Sequence, residues 1–186
     1  IAGITGFVEL AGKKITATNL VNKGNVTHNG ESVFTNVAGI VANYCRANLT
    51  NCSNSGTISL GASAKVGYAN VGGILAVGVS LDTTTLDNCD NNGEIIVNPD
   101  ISITAEKNIN VGGVVANSAG KCIIKNCDNT KTIQTNGILA GDSSSGALIG
   151  GICAYASSTL TIEDCTNSGA VQYNNATEES TSSYIR

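Results

Sequence analysis

Apolar residues in this chain alternate with polar ones over short stretches, then give way to Gly or Asn, and the same succession keeps returning. Asn51-Cys52-Ser53-Asn54-Ser55-Gly56 recurs as Asn88-Cys89-Asp90-Asn91-Asn92-Gly93, as Asn126-Cys127-Asp128-Asn129-Thr130-Lys131 and as Asp164-Cys165-Thr166-Asn167-Ser168-Gly169. Asn19-Leu20-Val21-Asn22-Lys23-Gly24 is a degenerate first copy, so the copies start at 19, 51, 88, 126 and 164. A second marker keeps the same beat: Ile1-Ala2-Gly3-Ile4, Val37-Ala38-Gly39-Ile40, Val71-Gly72-Gly73-Ile74, Val111-Gly112-Gly113-Val114 and Ile149-Gly150-Gly151-Ile152. Two independent markers in register five times exclude chance.

No segment carries an apolar stripe at helical spacing, so the elements are strands. Each copy predicts three: the Val-Gly-Gly-Ile segment, as in Val71 to Ala76; an alternating run with Leu49, Leu86, Ile124 or Ile162 two residues before the Asn or Asp that opens the second marker; and a run after the Gly beginning at Val26, Ile58, Ile95, Ile133 or Val171. If each copy is one coil, equal offsets lie above one another about 4.8 Å apart. Parallel pairing then satisfies the backbone and like side chains form columns. Asn22, Asn54, Asn91, Asn129 and Asn167 are expected to make one such ladder at a bend. The recurring glycines are expected to allow tight packing or positive φ at corners. Parallel connections are almost always right-handed. The expected fold is therefore an all-β, right-handed parallel β-helix (a β-solenoid) of about five coils with three short strands each, a rod roughly 24 Å long. It is expected over residues 1–173, with 174–186, rich in Ser, Thr and Glu, as a polar linker or partial cap to further domains of the parent chain.

Composition agrees with a thin, layered core. There is no Trp or Met, one Pro, and only 4% aromatic residues against 22 glycines, so small and β-branched side chains must fill the interior. Charged residues are 13%, about half of what is usual, which leaves a surface of Asn, Thr, Ser and Gly. A net charge of −4 without any Lys/Arg run excludes a nucleic-acid partner. No apolar stretch is long enough to span a membrane. The absence of a signal segment before Ile1 suits a mature or excised fragment.

Of the seven cysteines, Cys52, Cys89, Cys127 and Cys165 share one repeat position, and Leu20 holds it in the first copy. That marks a buried apolar slot. Stacked residues have parallel Cα–Cβ vectors, which suit a disulfide poorly, so the column is expected to be a reduced core ladder in which Cys acts as a small hydrophobe. Cys45, Cys122 and Cys153 lie off the column, Cys122 being read as core.

The combination Val-Gly-Gly-Ile-x-Ala followed by Asn-Cys-x-Asn-x-Gly-x-Ile resembles the GLUG-type repeat of bacterial secreted and cell-surface proteins, over Ile1 to about Val171. Ala42, Ala76, Ala116 and Ala154 depart from that family's later Gly, and Lys131 replaces a Gly. The resemblance implies a β-solenoid in large, often multidomain surface proteins, adhesin-like ones included, and it carries no catalytic residues.

Candidate chemistry is sparse. Asp90 and Asp128 share a repeat position and should lie on adjacent coils within about 5 Å, close enough to hold a cation such as calcium or to raise one pKa. Asp also favours turns and binds local backbone amides, which explains the pair without a ligand. Asp87, Lys125 and Glu163 should stack as a surface ladder of alternating charge. His28 lies in a polar turn with no catalytic partner at a useful spacing. The joining segments Thr27 to Asn36, Ser59 to Asn70, Ile96 to Asn110 and Gln134 to Leu148 vary most, Val66/Tyr68 and Ile101/Ile103 alternating as in strands, and varied loops on a constant scaffold are where binding sits. Tyr44, Tyr68 and Tyr155 are the aromatic candidates for ligand contact. Asn25, Asn48 and Asn175 head glycosylation triplets, expected by chance in such a chain. The functional expectation is a non-catalytic structural or adhesin-like module, secreted or at the cell surface, needing no cofactor and meeting an extracellular glycan or surface protein. The alternative is a carbohydrate-active β-helix of the polysaccharide lyase or glycosidase kind, on analogy of fold alone.

Overall fold

The computed structural model describes residues 1–7, 15–43, 47–78, 83–98, 108–136 and 146–174. Among them there is no helix, and the strands stack in parallel as a β-solenoid of about four full turns, with a leading partial coil. Each full coil contributes one strand to each of five sheets. The first sheet holds Glu31–Ala38, Lys65–Gly72, Asn108–Gly112 and Gly146–Gly150; the second Thr5–Phe7, Val41–Asn43, Leu75–Gly78, Val115–Ser118 and Cys153–Ala156. The third holds Ile15–Thr18, Ala47–Thr50, Thr84–Asp87, Cys122–Lys125 and Leu160–Glu163. Two-residue strands from Val21–Asn22 to Thr166–Asn167 make the fourth, and Val26–His28, Ile58–Leu60, Ile95–Val97, Ile133–Asn136 and Val171–Asn174 the fifth.

The register is the one the repeats dictate. Val71 pairs with Val37 and Val111, Leu86 with Leu49 and Ile124, Asn91 with Asn54 and Asn129, and Ile95 with Ile58 and Ile133. The coil has five strands, however, where three were expected. Val71 to Ala76 is a sharp turn and not one strand: a side chain added at Gly72 would meet the carbonyl of Leu75, so the backbone doubles back there and splits the segment between two sheets. Part of each joining segment pairs as well, with Val66 and Tyr68 on the first sheet, and Ser53–Asn54 and its equivalents, at the bend, pair from coil to coil. Ile101 and Ile103 lie outside the described residues, as do Tyr44, Cys45 and 175–186.

The core is in two parts. One collects Val37, Val71 and Val111 from the first sheet with Ile58, Ile95 and Ile133 from the fifth. The other collects Ile74, Leu75 and Val115 with Leu49, Leu86, Ile124 and the cysteines. Leu49, Leu86, Ile95 and Ile124 are fully buried, and each such side chain contributes about 1.5–3 kcal/mol relative to exposure. The chain passes from one part to the other twice per coil, once at Gly73 between Val71 and Ile74, once at Asn91 between Cys89 and Ile95. These two crossings touch. A side chain added at Gly73 would lie 2.7 Å from Asn91 Cβ, and the same holds for Gly39 against Asn54 and Gly151 against Asn167. The two markers that recur in step along the sequence thus meet in space at a waist, where an Asn needs the room that Gly leaves.

Candidate functional site

The polar groups of the solenoid are arranged in columns, so each candidate is placed by its column. At the waist, Asn22 Nδ2 donates to Asn54 Oδ1 (2.7 Å), Asn54 to Asn91 (2.8 Å), Asn91 to Asn129 (2.8 Å) and Asn129 to Asn167 (2.7 Å). Each Nδ2 also donates to a carbonyl two residues on: Gly24, Gly56, Gly93, Lys131 or Gly169, at 2.8–2.9 Å. One amide closes its own bend and joins the next coil at once, which lets Asn54, Asn91 and Asn129 be fully buried. The expected ladder is there.

The Cys file is there too. Cys52, Cys89 and Cys127 are buried and Cys165 half-buried, all as free thiols. The backbone N–H of Cys89 donates to Cys127 Sγ (3.3 Å) and that of Cys127 to Cys165 Sγ (3.4 Å). The hydrogen bond from Cys127, with burial, pushes the Cys89 thiol up to about 12. Cys52 is pushed up in the same way by Cys89. Cys122 and Cys153 belong to the same part of the core, raised to about 11 and about 12, chiefly by burial. Thiols held protonated this strongly behave as apolar filling and not as nucleophiles.

Asp90 and Asp128 stand on adjacent coils, half-buried, in the column Val21, Ser53, Asp90, Asp128, Thr166. Each carboxylate reaches the coil that follows: Asp128 N–H donates to Asp90 Oδ1 and Thr166 N–H to Asp128 Oδ1, both at 3.0 Å. Among the described residues no group of three or more His, Cys, Asp and Glu side chains is placed to hold a metal ion. In the neighbouring column Lys125 Nζ lies 3.0 Å from Asp87 Oδ2, and Glu163 follows in register. The Asn126 amide and the Lys125 ammonium together hold the Asp87 carboxyl below the usual carboxylate range. His28 sits half-buried at the end of its strand, its pKa lowered by burial and by the N-terminal ammonium, with the Gly30 backbone opposing.

Two features were not foreseen. Among the described residues, Asn19, Asn51, Asn88, Asn126 and Asp164 take positive φ, at 50–60°, although none is a glycine. The recurring glycines serve close packing instead. The reason is chemical: a short side chain that bonds locally tolerates the left-handed region. The signal was the Asn or Asp opening every copy of the second marker. The other feature is a polar junction around Tyr68. Its Oη lies 3.0 Å from Asn110 Nδ2 and from Asn117 Nδ2, and its ring is 5.7 Å from that of Phe34. Asn110 also donates to Asn70 Oδ1, and Asn70 to Asn36 Oδ1, at 2.8 Å each. This third ladder was legible, since Asn36, Asn70 and Asn110 each precede the Val of the first marker. Tyr155 is on the second sheet, 40% exposed.

Comparison with models of known families, with curated proteins and with solved structures gives no match to this chain.

Proposed function

We propose that this chain is a non-catalytic repeat module of a bacterial secreted or cell-surface protein, of GLUG type, acting as a stiff structural or adhesin-like element that meets an extracellular glycan or surface protein through its uneven joining segments. The observation that carries this reading is where the polar groups are spent. The Asn ladders run from coil to coil, and the two stacked carboxylates, Asp90 and Asp128, each hold a backbone N–H of the next coil. Groups used this way stiffen a rod; a glycosidase or lyase needs its carboxylates presented to substrate across a groove. The surface that remains offers neutral donors and acceptors, such as the Thr27–Ser59 pair at 2.8 Å on the fifth sheet, and the exposed aromatic ring of Phe34 on the first.

The test is a glycan array probed with the purified chain, alongside an assay for released reducing or unsaturated sugars on the polysaccharides that bind. The expected result is binding without product, unchanged by Asp90→Asn with Asp128→Asn. Product formation that these substitutions abolish would make the chain an enzyme.

A further inference from the structure

Two of the chain's Asn-Gly pairs, Asn29–Gly30 and Asn92–Gly93, lie wholly within the described residues, and the fold holds them differently. In such a pair the backbone nitrogen can reach the preceding side chain with little hindrance, because glycine brings no Cβ into the way. At Asn92–Gly93 both reacting groups are tied. Asn92 Oδ1 accepts from Thr130 Oγ1 (2.7 Å), and the Gly93 N–H donates to Asn91 Oδ1 (3.4 Å) in the buried waist.

At Asn29–Gly30 neither group is tied. The Gly30 carbonyl accepts from the Lys65 N–H of the next coil (3.1 Å), but the Gly30 N–H and the Asn29 amide have no hydrogen-bond partner among the described residues. Asn29 Oδ1 lies over Gly61, where an added side chain would collide with it. This corner is exposed in the next coil too, at Ala62 and Ser63, so solvent reaches it along the flank of the solenoid.

Beside the pair stands His28, a residue with no part in the functional reading above. It is in register with Leu60, and a side chain added at Gly30 would stand 3.4 Å from His28 Cε1 and 4.0 Å from Nε2. Nε2 is buried and has no hydrogen-bond partner. Burial lowers the pKa of this imidazole most, the Ile1 ammonium adds to that, and the Gly30 backbone opposes. No carboxylate among the described residues acts on the ring. It is therefore a neutral base at mild pH.

We propose that Asn29–Gly30 is a self-modification site, at which His28 assists loss of the Asn29 side-chain amide. This inference stands apart from the functional reading and does not need it. The Gly30 nitrogen attacks Asn29 Cγ while Nε2, directly or through one water, takes its proton. The Cγ–Nδ2 bond then breaks, and the amide leaves as ammonia with the proton that the imidazole held. The product is a cyclic imide joining residues 29 and 30. Water opens it at either carbonyl, leaving aspartate or the isomer whose backbone runs through the side chain. Nothing is oxidised, and water is the only co-reactant. Either product adds a carboxylate at position 29. The isomer also adds a methylene between two bonds to the next coil, Gly61 N–H to the His28 carbonyl (3.0 Å) and Lys65 N–H to the Gly30 carbonyl (3.1 Å).

Peptide mapping by mass spectrometry, after incubation of the folded chain at mildly alkaline pH, tests this with Asn92 as internal reference. Asn29 is expected to convert at least about tenfold faster than Asn92, and in urea the two should convert alike. In the wild-type chain the ratio of the two rates should fall as pH drops below the ordinary histidine value of 6.5, because the base is then protonated. His28→Gln, checked for its β-structure by circular dichroism, should lower the ratio about tenfold and make it independent of pH. Asn29 surviving as long as Asn92 in the folded chain overturns the proposal. So does a difference that persists in urea, since local sequence would then account for it. A folded His28→Gln chain with the wild-type ratio at every pH overturns it as well.

Discussion

Two columns of the same residue type run the length of this molecule and do different work. At the waist, Asn54, Asn91 and Asn129 are fully buried, and the amide is what matters: it bonds the coil above, the coil below and its own bend. At the outer corner, Asn51, Asn88 and Asn126 are exposed, and the backbone is what matters: φ is 51–55° at all three. The difference teaches that an Asn repeated at a constant interval can be specified by its side chain or by its tolerance of the left-handed region. Substitution separates the two. At the waist the column is Asn in all five coils; at the corner it accepts Asp164 in the last.

The sharpest way to break the waist is Asn91→Leu. The two side chains are close in volume, but the change strands the Asn129 Oδ1 acceptor on one side, takes a partner from the Asn54 Nδ2 donor on the other, and strands the Gly93 carbonyl, all in a buried setting. Leaving buried polar groups unsatisfied costs about 1–3 kcal/mol each, so a loss of about 3–5 kcal/mol is expected, read as the shift in urea midpoint. A loss under about 1 kcal/mol would mean that the ladder is ornamental. Gly73→Ala attacks the same contact from the other side. Its new methyl meets Asn91 Cβ at 2.7 Å and the carbonyl of Gly113, and neither is the far end of a flexible side chain, so about 3 kcal/mol is expected. The first glycine of the pair is tight for a different reason: Ala38 stands in register with Gly72, but a methyl at Gly72 would meet the backbone carbonyl of Leu75 in its own coil. Gly72→Ala should therefore cost about 1–3 kcal/mol as well, and a neutral Gly73→Ala beside it would remove the waist from the explanation.

Most of this architecture was open to inspection in the chain itself. The interval between markers gave the stacking, and stacking gave the ladder, the Cys file and the Asp87–Lys125 pair with no further assumption. What could not be seen is how a coil bends in cross-section. The repeat interval says that Gly73 lies over Gly39 and Asn91 over Asn54, because those are relations between coils. It is silent on Gly73 meeting Asn91, a relation within one coil, and so the split core and the five-strand count escaped. The site fared likewise: adjacency of Asp90 and Asp128 followed from register, whereas their bonds to the next coil's N–H groups depend on how the chain turns between columns.

A smaller effect is expected beside the waist, at Cys89, where the corner leads inward. Cys89→Ser places a hydroxyl in an apolar slot at a cost of about 2 kcal/mol, while Cys89→Ala loses only a little packing, about 1 kcal/mol. With its thiol raised to about 12, roughly a thousandth of the usual thiolate is present at mild pH. Labelling of Cys89 should then follow global unfolding, and rapid labelling in the native state would show that the file opens locally.

The corner gives the smallest effects and the cleanest contrast with the waist. Asn88 makes one exposed side-chain bond, to Asn51 Oδ1 at 2.8 Å, at a φ of 55°. If the backbone sets the requirement, Asn88→Ala costs about 1 kcal/mol, the penalty of a Cβ in the left-handed region, while Asn88→Gly, which deletes the same bond but removes the strain, stays within a few tenths of wild type, about 0.5 kcal/mol at most. If the amide sets it, Ala and Gly lose equally, since both abolish the bond. The order Gly above Ala at position 88, set against Leu failing at position 91, is the signature of one residue type chosen for two different reasons. Equal losses at position 88 would instead make the corner a second hydrogen-bonded ladder.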